Sequence, residues 1–107
     1  EGVEVITLPR NDWIAPKDIV DALSNIGLNH LLIEGGAITI AQFIEADLLT
    51  RLHVAIAPML IGAGPQGLTL SPVATLAQAR RFKSKTYCLG SDVLFDCELG
   101  PREGQTA

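Results

Sequence analysis

The junction at residues 30–37 constrains the fold more than any other segment. His30-Leu31-Leu32-Ile33 is a continuous run that stops at Glu34-Gly35-Gly36, and a helical pattern opens at Ala37. A run without polar alternation predicts a strand covered on both faces, as in a parallel sheet flanked by helices. From 37 to 46, Ile40, Phe43 and Ile44 fall on one side, which predicts an amphipathic helix. Upstream, residues 3–8 read as a strand closed by Pro9 and the polar turn Arg10-Asn11-Asp12. Pro16 suits a first helical turn, Ile19, Val20, Leu23 and Ile26 recur at helical spacing, and Gly27 is the stop. Leu52, Val54 and Ile56 then alternate with His53, Ala55 and Ala57 before Pro58. The pattern therefore predicts two successive β-α-β units with right-handed crossovers.

Residues 82–89 and 93–99 flank Gly90-Ser91-Asp92, and Val93, Phe95, Cys97 and Leu99 alternate with polar neighbours, predicting an antiparallel hairpin. Residues 100–107 have no apolar anchor and read as a mobile tail. The chain opens on Glu1-Gly2-Val3 without Met, signal-like run or basic leader, so it is expected to be a piece of a longer polypeptide.

Composition narrows the function. In 107 residues, 8 Lys+Arg face 12 Asp+Glu, a net charge of −4, which argues against nucleic-acid binding by bulk electrostatics. With 48% hydrophobic and 19% charged residues the chain is too apolar to be disordered. No formally charged residue lies between Arg51 and Arg80, yet Pro58, Gly62, Gly64, Pro65, Gly67 and Pro72 break that stretch. It is therefore read as a buried strand and a loop rather than a membrane span. Cys88 and Cys97 fit neither a metal knuckle nor a disulfide scaffold, and free thiols in a reducing cytoplasm are expected.

Chemistry concentrates at Glu34-Gly35-Gly36-Ala37. A helix N-terminus exposes unpaired N–H groups and partial positive charge, and glycine lets a phosphate approach the backbone. A plain tight turn, with Glu34 as an acid near the helix dipole, is the structural alternative. Gly62-Ala63-Gly64-Pro65-Gln66-Gly67 matches G-x-G-x-x-G by letter, but Pro65 and the following Leu68-Thr69-Leu70-Ser71-Pro72 give it no helix to open. It reads as a loop. Arg80, Arg81, Lys83 and Lys85 hold half of the basic residues, as a phosphate contact or as lysines guarding an edge strand. His30 and His53 have no evident metal partners, Trp13 reads as a packing cap, and no Ser-His-Asp, Cys-His or zinc set can be assembled.

Leu31-Leu32-Ile33-Glu34-Gly35-Gly36-Ala37, then Phe43-Ile44 and Asp47-Leu48-Leu49, then Leu52 through Gly64, in that order, resemble the C-terminal half of the riboflavin-biosynthesis pyrimidine reductase family of RibD C-terminal type. Gly2-Val3-Glu4-Val5-Ile6 and Leu89-Gly90-Ser91-Asp92-Val93-Leu94 resemble its flanking strand and closing hairpin. The resemblance implies a partial dihydrofolate-reductase-like three-layer α/β fold with a mostly parallel sheet and a C-terminal antiparallel hairpin. Residues 1–99 would form the C-terminal half of the reductase domain. It also implies NADPH as cofactor and a small phosphorylated pyrimidine as substrate, whose ribosyl group is reduced to ribityl. Glu34 would contact substrate, and Gly35, Gly36, Ala37, Ile38 and Thr39 would hold the cofactor phosphates. Hydride transfer needs no covalent nucleophile, so the missing triad is no objection. Where family members often carry an Asp-Glu pair, this chain has Thr50-Arg51, which puts any contact made there in doubt. An exposed strand edge implies a homodimer or association with a missing N-terminal part. Two alternatives stand beside the reductase: a non-catalytic nucleotide-binding or assembly module of this fold, and an enzyme acting on a pterin.

Overall fold

The computed structural model describes residues 2–9 and 12–100. Helix α1 spans Pro16–Asn25 and α2 spans Ala37–Glu45; strand β1 is Arg51–Ile56, β2 Lys83–Leu89 and β3 Asp92–Glu98, with a short 3-10 turn at Leu76–Gln78. Both helices form where the sequence places them.

Their ends explain why. Pro16 begins α1. At its other end Gly27 adopts φ +89°, and its N–H reaches the Ser24 carbonyl at 2.9 Å while the Leu28 N–H reaches that of Leu23 at 3.0 Å. This double bond pattern satisfies carbonyls that the helix leaves unpaired. Helix α2 ends the same way with Asp47 in the glycine role, at φ +55°. The Asp47 N–H bonds to Ile44 at 3.0 Å and the Leu48 N–H to Phe43 at 3.1 Å. Aspartate tolerates this left-handed conformation better than most residues.

Among the described residues the sheet has three strands in the order β1-β3-β2, and both pairings are antiparallel. The expected hairpin is present, closed by Gly90 at φ +63°. Glycine first in a two-residue loop gives a type II′ turn, whose twist matches that of the strands. The mostly parallel sheet expected from the sequence is not what forms here. Residues 3–8 and 30–33 carry no strand pairing, and Val3 and Leu32 are each 82% exposed. Among the described residues β1 pairs with the returning strand β3, not with a strand delivered by a crossover. An apolar run reports that a segment is suited to burial; it does not name the neighbour that buries it.

Directly opposed residues share a sheet face. One face carries Leu52, Val54 and Ile56 beside Cys97, Phe95 and Val93, then Ser84, Thr86 and Cys88. The other carries Arg51, His53, Asp96, Glu98, Lys83, Lys85 and Tyr87. Among the described residues Ala41, Phe43, Ile44 and Leu99 are buried, so a core lies around the end of α2. Leu99 enters it through its N–H bond to the Thr50 carbonyl at 3.0 Å. Arg80 locks this corner, donating to Asp47 at 3.1 Å and to the Gly100 carbonyl at 2.5 Å, with its guanidinium 5.1 Å from the Phe82 ring centre.

Neither helix packs broadly on the sheet. The radius of gyration is 16.6 Å, against about 13 Å for a compact domain of this length. The stretch after β1 is exposed loop, with Met59 at 69%, Leu60 at 102% and Ile61 at 79%. No helix among the described residues is long and apolar enough to cross a membrane. Of the expected tail, only Gly100 lies within the described residues, and of the expected turn Arg10-Asn11-Asp12 only Asp12 does.

Candidate functional site

Gly36 is the N-cap of α2, with φ −76° and ψ 178°, and no side chain caps the helix. Its carbonyl accepts the Ile40 N–H at 3.3 Å, which leaves the N–H groups of the preceding turn, Ala37 to Thr39, without an intrahelical partner. A side chain with an oxygen at Gly36 would accept from one of them. Glycine keeps them open, and a β-carbon built there would meet nothing within 4 Å. The helix thus presents bare donors and the positive end of its dipole to solvent.

Gly35 is required for a different reason. Its φ of +149° lies where L side chains rarely go, and a β-carbon would stand 3.4 Å from the Thr39 Cβ. The chain therefore turns into α2 without covering the helix end. Glu34 and Thr39 are exposed, and Ile38 is 65% exposed. The cradle so formed is open: no acidic side chain occupies the cap, and the backbone is accessible. The structure so brings together the contiguous set Glu34, Gly35, Gly36, Ala37, Ile38 and Thr39.

The other sequence candidates lie elsewhere. The loop 62–67 is exposed, with Gly62 at φ +77°, and no helix opens on it, so it lacks the context of a dinucleotide fingerprint. Arg80 is committed to Asp47 and Gly100. Lys83 and Lys85 lie on β2, exposed throughout. His30 is exposed, and His53 Nε2 is 3.3 Å from Asp96 Oδ1. Among the described residues no group of three metal-ligating side chains converges. A groove of about 440 Å³ lies between residues 6–9 and α1, lined by Ile6, Leu8, Asp18, Asp21 and Ala22 among others, and shares no lining residue with the α2 cradle.

Sequence reasoning missed Asp96. It accepts both bonds from Arg51 Nη1, at 2.8 and 2.7 Å, so Arg51 joins β1 to β3 at the position where the family resemblance departs. Only the strand register could have shown this, since the two residues lie far apart in sequence.

The family model described as RibD C-terminal domain matches residues 2–94. The riboflavin biosynthesis protein RibD of Actinobacillus pleuropneumoniae is 32% identical over 100 residues, which cover 89% of this chain and 26% of that protein. Its counterpart in Aquifex aeolicus strain VF5 is 29% identical over 94 residues, covering 88% and 26% respectively. The chain thus spans about a quarter of the length of these relatives. With the match running through the α2 junction and into the hairpin, the chain belongs to the RibD C-terminal domain family.

Proposed function

We propose that this chain is the cofactor-cradling part of an NADPH-dependent reductase of riboflavin biosynthesis, acting on a phosphorylated ribosylamino-pyrimidine. The observation that carries the reading is the uncapped N-terminus of α2, opened by Gly35 and Gly36. The N–H groups of Ala37, Ile38 and Thr39 hold a cofactor phosphate, and Gly35 keeps the approach clear of side chains. Glu34, next to the cradle, takes the substrate side. NADPH, when bound, would supply hydride chemistry for reduction of the ribosyl group. The protein's part is to bring two anionic ligands together and hold their charge. Glu34 orients substrate by accepting hydrogen bonds, and the dipole of α2 offsets the cofactor's charge. The free thiols of Cys88 and Cys97 are in keeping with a cytoplasmic setting.

The experiment is a calorimetric titration of this chain with NADPH, with NADH as control. Saturable binding that prefers NADPH is the expected result. Absence of binding by the folded chain would assign the phosphate site to another part of the polypeptide. A second reading is a nucleotide-binding or assembly module without turnover. Its support is the open architecture, in which neither helix packs broadly on the sheet. Tight NADPH binding without pyrimidine-dependent oxidation, in a polypeptide of the relatives' length, would favour it.

A further inference from the structure

Three rows of opposed residues cross the charged face of the sheet from β1 through β3 to β2: Arg51–Glu98–Lys83, His53–Asp96–Lys85 and Ala55–Leu94–Tyr87. The carboxylates of the middle strand serve β1. Asp96 accepts from Arg51 Nη1 at 2.8 and 2.7 Å and stands 3.3 Å from His53 Nε2, while Glu98 lies 3.9 Å from Arg51 Nη2. Lys83 and Lys85 each oppose an acid directly, yet neither is ion-paired with a described residue. Two ammonium groups on one face of β2 are therefore unspent.

Guarding a strand edge explains the two cations but not the ring beside them. Tyr87 is 47% exposed, and its row continues through half-buried Leu94 to the small side chain of Ala55. The row is thus an aromatic wall next to a low apolar floor. Alternate residues of a strand stand about 6.6–6.8 Å apart on the same face. Lys85 is one such step from Tyr87, and Lys83 one further. This arrangement suits a ligand with a flat ring at one end and an anion at the other.

We infer that this face binds a mononucleotide-type ligand, with the base on Leu94 against Tyr87 and the phosphoryl group between Lys85 and Lys83. Stacking on an aromatic side chain tolerates any base, and lysine binds phosphate as a point charge. The site therefore reads ring plus phosphate and not one particular base. Local charge favours it: Arg51, Lys83 and Lys85 face Asp96 and Glu98, in a chain whose net charge is −4. Asp92 lies beyond Leu94, at the turn. Asp96 is 15% exposed and held by Arg51, which keeps its charge from the ligand. The inference uses no residue of the α2 cradle and does not rest on the reductase reading.

Calorimetric titration of the whole chain with uridine 5′-monophosphate tests it, with uridine and inorganic phosphate as controls. Saturable binding of the monophosphate, tighter than that of either control and weakened by salt, is expected. Amide shifts in nuclear magnetic resonance locate the ligand, with changes expected at residues 83–87 and 94–96 and none at 36–39. Lys85→Gln and Tyr87→Ala are each expected to weaken binding about tenfold. Gly36→Asp, which fills the α2 cradle, is expected to leave it unchanged, so the two sites fail independently. No binding of the monophosphate, shifts confined to residues 36–39, or an affinity untouched by Lys85→Gln would each overturn the proposal. So would an affinity that climbs with the length of an oligouridylate, which would assign the face to a nucleic-acid strand.

Discussion

Arg51 Nη1 lies 2.8 Å and 2.7 Å from the two carboxylate oxygens of Asp96, a diagonal contact across the β1–β3 ladder in which Arg51 opposes Glu98 and His53 opposes Asp96. The arginine side chain is 55% exposed and the aspartate 15%. Screening by water limits such a pair, and a double-mutant cycle of Arg51→Ala and Asp96→Ala is expected to give a coupling of about 0.5–1 kcal/mol. Urea unfolding in low and high salt checks it, and a coupling that does not fall with salt would contradict an ionic origin.

Gly36→Asp separates stability from ligand binding. The carboxylate caps α2 and is expected to raise its stability by a few tenths of a kcal/mol. The same charge occupies the cradle and repels phosphate, so NADPH affinity is expected to fall about tenfold, the equivalent of ~1.4 kcal/mol. Thermal melting and calorimetry on one variant read the two effects, and affinity preserved in a stabilised protein would remove phosphate from the helix end.

Gly35→Ala acts through the backbone. At φ +149° the substitution is strained, with an expected loss of about 1–3 kcal/mol. The new methyl meets Thr39 only in ordinary van der Waals contact, at 3.4 Å, so Thr39→Ser in the same chain is expected to recover little of the loss. Melting temperatures of the single and double variants decide between strain and crowding.

Arg80→Ala removes a bond to Asp47 and a bond to Gly100 from a corner that is about three-quarters shielded. A loss of about 1–2 kcal/mol is expected. Asp47→Gly relieves the backbone at φ +55° while deleting the Arg80 partner, and is therefore expected to cost less than Arg80→Ala. Hydrogen exchange at the Leu99 amide is the local readout.

The Asp21 carboxylate, bonded to the Lys17 ammonium one helical turn away, holds that amine above the ordinary lysine value of 10.5. A folded-state value above the unfolded one means that the stabilisation is complete below about 10.5 and fades as pH rises through the folded value. Helix content of α1 is expected to decline in that alkaline window in the native chain and to be flatter in Lys17→Met, as followed by circular dichroism.

The helices, the hairpin and the Gly35-Gly36 junction were legible in the sequence because each is written locally: Pro16 and Gly27 punctuate α1, and Gly90 fits one kind of turn. The pairing of β1 was not. Leu52, Val54 and Ile56 announce a strand with one apolar face, but whether its neighbour runs parallel or antiparallel depends on contacts far along the chain. Asp47 escaped for a related reason. Its left-handed turn is marked by no glycine, and Arg80, which accompanies it, is distant in sequence. Arg80 in turn shares only its charge with the nearby lysines: its guanidinium serves the corner, whereas Lys83 and Lys85 stand on a strand edge.

The gap between a radius of gyration of 16.6 Å and the compact value bears on how this chain melts. Unfolding a tightly packed domain of this length raises the heat capacity by roughly 1.3–1.6 kcal/mol/K, because buried apolar surface becomes hydrated. Here Val3, Leu32, Met59, Leu60 and Ile61 are already wet in the native state. The denaturant slope and the heat-capacity step should both be small, and the transition broad. Mutational effects in this chain should therefore appear in the midpoints and in local hydrogen exchange, with little change in the sharpness of a global melt.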